Sequence, residues 1–206
     1  MNRLFASYLL LSGLALVGPH RPTAWPLLAL LHGALAWWGF RARPRVDSRA
    51  ALRWLGDAYP LIVMPLLYAE LPLLNRALFA GRYFDPLVIG WERALFGFEP
   101  ARDFATLLPY GWLSESLLAA YVSYYLIIYV PPLAIAWKHG HAALREAVFT
   151  LSLVFFAHYL FFVWFPVEGP RYRFGSPVPA DARGPVYALA HALLEAGSSR
   201  GAAFPS

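Results

Sequence analysis

Arg171 and Arg173, two guanidinium groups two positions apart in Gly169-Pro170-Arg171-Tyr172-Arg173, are the side chains whose type and spacing best suit chemistry. A guanidinium stays protonated at any working pH and offers paired donors that match phosphate oxygens, so Arg171 suits a phosphate dianion and Arg173 could add a second contact. Pro166 and Pro170 restrict the backbone on the approach to Arg171. A basic residue beside a membrane also fits a plainer role, anchorage to lipid headgroups. Glu70, in an apolar stretch, is the next candidate. A carboxylate within or at the edge of a membrane span must face a protein interior, water or headgroups, which makes Glu70 a candidate for a polar cavity. Pairing with Arg76 or Arg82 at the helix end is the alternative.

Other polar residues carry two readings each. Tyr121, Tyr125 and Tyr129 recur at helical spacing and could line a headgroup cavity or serve ordinary helix packing. His191 and Glu195 are four apart, so the carboxylate could hold the imidazole in one tautomer or form an exposed helix pair. His32 and His158 fall deep in apolar stretches, where packing or a bond to a helix neighbour is expected. No metal or organic cofactor is expected.

The elements that must position these residues follow from composition. The chain has 206 residues, 59% hydrophobic and 17% aromatic with 14% charged, too little polar surface to cover a soluble globule of this size. An all-α, polytopic membrane protein is therefore expected. The net charge of +5 could suggest nucleic acid, but of the 17 basic residues only Lys138 is lysine, and they cluster at expected membrane boundaries. Membrane lipids, not nucleic acid, are the expected partners. With no cysteine, the chain has neither a disulfide framework nor a thiol nucleophile.

Hydropathy predicts five spans: Leu4 to Val17, Trp25 to Phe40, Trp54 to Leu74, Trp112 to Trp137 and Ala147 to Phe165. Val17-Gly18-Pro19-His20 lacks a small-x-small cleavage pattern, so the first run is read as a retained helix. Residues 1–40 form a helical hairpin within a single membrane domain, 1–206, and the third span is expected to be kinked by Pro60, Pro65 and Pro72. Between Phe84-Asp85-Pro86 and Gly97-Phe98-Glu99-Pro100 a short amphipathic helix is expected to lie along the membrane surface. Basic clusters at 41–53 and 138–145 place those turns in the cytoplasm. Everything after Phe165 is then extracytoplasmic, with a tail helix from Val186 to Ala196.

Two strings carry a family likeness. Phe165-Pro166-Val167-Glu168-Gly169-Pro170-Arg171-Tyr172, followed by Gly201-Ala202-Ala203-Phe204-Pro205-Ser206, resembles the first two signature segments of the type 2 phosphatidic acid phosphatase superfamily. The glycine-proline-arginine form is closest to the branch that includes inositol phosphorylceramide synthase. Tyr68-Ala69-Glu70-Leu71, Asp85 and Glu92-Arg93-Ala94-Leu95-Phe96-Gly97 also resemble the approach to the site in bacterial members of that branch, so residues 54–206 form the phosphatase-like or phosphotransferase-like region.

The resemblance implies a hydrolase or transferase of lipid metabolism, acting on a phosphorylated lipid or polar-headgroup substrate in the bacterial inner membrane, with its catalytic loops extracytoplasmic. It assigns Arg171 and Arg173 to the phosphate, Tyr172 and Glu70 to the surrounding cavity, and Ser206 with neighbouring backbone amides to phosphate binding. In such enzymes a histidine of the second signature protonates the leaving group. A histidine of the third becomes a phosphohistidine and is oriented by an aspartate four residues later, and no metal is needed. Here those histidines would fall after Ser206. The chain is accordingly expected to be truncated, to lack at least one helix, and to be inactive as it stands. A shortened pseudoenzyme that binds lipid, or a transporter subunit or scaffold, are the alternatives.

Overall fold

The computed structural model describes residues 1–41, 50–108, 110–168 and 183–197. Among them all regular structure is helical. α1 (Asn2–Gly13) continues into a 3-10 turn (Leu14–Val17), and α2 (Trp25–Arg41), α3 (Ala50–Phe79), α4 (Asp85–Phe96) and α5 (Pro100–Leu107) follow. The remaining helices are α6 (Gly111–His139), α7 (His141–Trp164) and α8 (Pro185–Gly197).

Among the described residues three helices are long and apolar enough to cross a membrane: Trp54–Phe79 within α3, α6 and α7. Asn2–Val17 is apolar but shorter. The 17 residues of α2 rise about 25 Å, against a hydrocarbon core of about 30 Å. The helices also extend beyond the apolar runs that announce them. α7 begins at His141, after Gly140 with φ 81°, instead of at Ala147, because Arg145 and Glu146 are good helix formers that an apolarity criterion discards. α3 is continuous through Pro60, Pro65 and Pro72 and runs past Leu74 to Phe79.

The chain divides into two compact units, Met1–Arg82 with Ile128–Pro166, and Tyr83–Ile127 with Val167–Ser206. In the first unit, α1 packs on α2, and both α1 and α3 pack on α7. The core is apolar and aromatic: Leu9, Met64, Leu74 and Val163 are buried, and Tyr8 stacks on Phe156 with ring centroids 4.8 Å apart. Polar contacts reveal the helix directions. His141 Nε2 lies 3.0 Å from Asp57 Oδ2 where α3 and α7 start. With its amide oriented to donate, Asn75 Nδ2 reaches the carbonyls of Phe162 at 3.1 Å and Val163 at 3.2 Å where they end. α3 and α7 therefore run parallel.

α1 joins them in the same sense. Tyr59 Oη donates to Asn2 Oδ1 at 3.1 Å near the start of α1, and beyond its end the His20 N–H donates to Ala77 O at 3.0 Å. That close crossing needs glycine: a Cβ on Gly18 would sit 2.4 Å from Ala77 O. α2 returns in the opposite sense, since Gly39 near its end packs against Asn2 and Ala6 while His32 packs against Gly13. The alternation of α1, α2 and α3, with α7 parallel to α3, is the order the hydropathy pattern requires.

In the second unit, α4 opens with Pro86 in its first turn and closes at Gly97, matching the short amphipathic helix expected there. Leu87, Trp91 and Leu95 form an exposed apolar stripe at four-residue spacing. Arg93 pairs with the buried carboxylate of Glu99, whose own N–H donates to Asp103 Oδ2 at 3.1 Å and so caps α5.

Candidate functional site

The described part of the second unit contains two backbone contacts made by carboxylates distant in sequence. Asp85, the first residue of α4, is 7% exposed. Its Oδ2 accepts the backbone N–H of Glu168 at 3.0 Å. A carboxylate is favoured at the first turn of a helix, where unpaired N–H groups carry partial positive charge. Burial commits it to such partners, because an unpaired buried carboxylate is costly. The bond fastens the chain three positions before Arg171. Arg171, Tyr172, Arg173 and Ser206 themselves lie outside the described residues.

Glu115, in the first turns of α6, makes the second contact. Its Oε1 accepts the N–H groups of Gly184 at 3.2 Å and Tyr187 at 3.0 Å, and its Oε2 accepts that of Val186 at 2.8 Å. Three donors at the start of α8 thus converge on one carboxylate, a cap supplied from another helix. A Cβ on Gly184 would meet Glu115 Oε2 at 2.6 Å and push the carboxylate from this position. Along α8, Arg183 lies over the Tyr187 ring, with Cζ 5.1 Å from its centroid, and His191 stacks on Tyr187 at 5.7 Å. His191 is placed by that ring, and the side chain of Glu195, its expected partner, lies outside the described residues.

No family model, curated protein or solved structure matches this chain. The functional reading rests on the chain's own residues. The string Gly197-Ser198-Ser199-Arg200-Gly201 spells the Gly-x-Ser-x-Gly of serine hydrolases, but such an elbow joins a strand to a helix. Here Gly197 ends α8, and no strand occurs among the described residues. No cluster of three metal-ligating side chains occurs among them either.

The first unit places Glu70 differently from either arginine pairing. Its Oε1 lies 3.4 Å from His32 Nε2, with the two side chains 18% and 7% exposed. His32 Nδ1 lies 3.0 Å from Leu28 O, the helix-neighbour bond expected of it. Tyr8 is buried within electrostatic reach of Glu70 and of Tyr159. The His32 partnership was not foreseen from sequence. Arg76 and Arg82 are nearer along the chain, and only the α1–α2 hairpin brings His32 to α3. His158 also meets its expectation, with Nδ1 2.8 Å from Val154 O. Of the tyrosine stripe, Tyr121, Tyr125 and Tyr129 remain more than one third exposed, with Tyr121 edge-on to Tyr125 at 6.2 Å.

Proposed function

We propose that this chain belongs to an integral membrane enzyme that hydrolyses or transfers a phosphate ester on a lipid headgroup through a phosphohistidine. Its active face lies outside the cytoplasm. The observation that carries the reading is the grip of buried Asp85 on Glu168. Asp85 and the segment that continues through Arg171 both belong to the resemblance to type 2 phosphatidic acid phosphatases, and a structural bond joins them across 83 positions. In this reading α1 and α2 complete five spans, and α4 lies along the surface with its Leu87, Trp91 and Leu95 stripe toward lipid.

The chemistry follows from the assigned groups. Arg171 and Arg173, with Ser206 and neighbouring amides, bind the phosphate and balance the charge that develops in transfer. A histidine attacks phosphorus while the lipid alcohol leaves with a proton from a second histidine. Water or another alcohol then takes the phosphoryl group from the phosphohistidine. Neither histidine is assigned within residues 1–206, so the assay uses protein expressed from the full reading frame. Vanadate-sensitive, metal-independent release or transfer of phosphate from phosphatidic acid or a phosphoinositol lipid is the expected result. Failure across both substrate classes would overturn it.

A second reading is favoured by the His32–Glu70 contact, since a paired carboxylate inside a helix bundle also suits a transporter. Solute or proton flux in liposomes without any phosphate ester separates the two.

A further inference from the structure

The bonding of His32 fixes how many protons it and Glu70 must share. Leu28 O can only accept, so the proton of that 3.0 Å bond sits on Nδ1. In a neutral imidazole Nε2 is then a bare lone pair, and it would face a Glu70 carboxylate oxygen 3.4 Å away. Two lone pairs at that distance repel, and the gap is too short to admit a bridging water between them. One further proton therefore belongs to the pair, either on Nε2 as imidazolium beside carboxylate or on Glu70 as a neutral acid. Both forms have zero net charge, the condition for residing inside a buried bundle.

We propose that His32 and Glu70 form a buried one-proton site whose occupancy fastens α2 to α3. The α1–α2 hairpin packs mainly through α1, with α2 lying against α1 and the 3-10 turn. The His32–Glu70 contact is thus a polar link between α2 and α3, and losing its proton turns attraction into repulsion. The titratable group within electrostatic reach of Glu70 is the phenol of Tyr8 on α1, which joins Tyr159 on α7 and, through it, Tyr68 on α3 by ring contacts of 6.4 Å and 5.9 Å; the same helices also carry Arg3, Asp57, Arg76, His141, Arg145, Glu146 and His158. A phenol ordinarily ionises well above an imidazole or a carboxyl, so the phenols are set apart by pH, and the other imidazoles and carboxyls by the residue-specific signals of His32 and Glu70.

The test uses the whole protein in lipid nanodiscs, with the histidine ring nitrogens and glutamate carboxyls isotope-labelled. As pH is raised, the His32 ring and the Glu70 carboxyl should report loss of the shared proton in one common step, because interacting sites act as a pair. His158, bonded likewise at Nδ1, provides the internal reference. In a second measurement, spin labels replace the exposed Leu30 on α2 and Leu66 on α3, in a chain with no native cysteine. A single distance is expected below the step, and a second, longer population above it.

Glu70→Gln discriminates further. Its amide can donate to a bare Nε2, so α2 should stay fastened at every pH and the step should vanish. Glu70→Ala should show the longer distance throughout. Separate midpoints for the two groups, a His32 ring carrying only its Nδ1 proton beside an ionised Glu70 at the low end, or a label distance that ignores the step would each overturn the proposal. The outcome is independent of phosphate transfer.

Discussion

Asp85 Oδ2 receives the backbone N–H of Glu168 at 3.0 Å, and through that bond the first residue of α4 holds the chain just before Arg171. Asp85→Ala would leave a backbone donor without its partner, at a cost of about 1–3 kcal/mol. Under the proposed phosphate-transfer function the same change should lower kcat/KM by about 10-fold to 100-fold, as expected when a binding group is displaced by a fraction of its reach. Asp85→Asn keeps an acceptor and should recover most of both. Thermal unfolding and phosphate release on the three proteins make the comparison, and an unaltered kcat/KM in a folded Asp85→Ala protein would count against the positioning role.

Under the same proposal Arg171→Ala should reduce phosphate transfer at subsaturating substrate by about 100-fold or more, the scale for losing a charge-stabilising contact. Arg171→Lys should restore only part, because a point charge cannot reproduce paired donors. Full activity in Arg171→Ala would remove the phosphate assignment and leave the headgroup anchor in its place.

Glu115→Ala strips three donors of their acceptor and should loosen the start of α8 by about 1–2 kcal/mol, the upper range for a lost helix cap. Hydrogen exchange should accelerate at Gly184, Val186 and Tyr187. Gly184→Ala should do the same by steric displacement of the Glu115 carboxylate. Exchange unchanged in both variants would mean that α8 holds its first turn without this cap.

The absence of cysteine permits a direct topology test. Single cysteines at Ala142, at the start of α7, and at Arg82, beyond the end of α3, should react with an impermeant maleimide from opposite faces of an intact cell. Labelling of both from one face would refute the parallel crossing of α3 and α7 through a bilayer.

Much of this architecture was legible because helix type depends on local chemistry. Apolar runs mark α1, α2, α3, α6 and α7, and Pro86 and Gly97 punctuate α4. The boundaries were less legible where charge and helicity part company, as at Arg145 and Glu146, which an apolarity rule removes and the backbone retains. Pairings were the least legible. Asp85 was marked by resemblance, yet its partner is 83 positions away. Glu115 carries no such mark, since an isolated carboxylate near a helix start gives no sign that another helix will begin against it. For Glu70, sequence proximity favoured Arg76 or Arg82, whereas the hairpin delivers His32.

The shared direction of α1, α3 and α7 has an electrostatic consequence. Each helix carries a macrodipole of roughly half an elementary charge at either end, so parallel packing adds the three rather than cancelling them. The face where they start is made positive by backbone alone. The face where they finish presents their carbonyl ends, a weakly negative surface on which Arg76, in the last turn of α3, is favourably placed. A phosphate brought to that second face would find no attraction in these helix termini. Only the start of antiparallel α2 opposes that polarity, so arginine at such a boundary offsets the bundle's own field as well as binding the ligand.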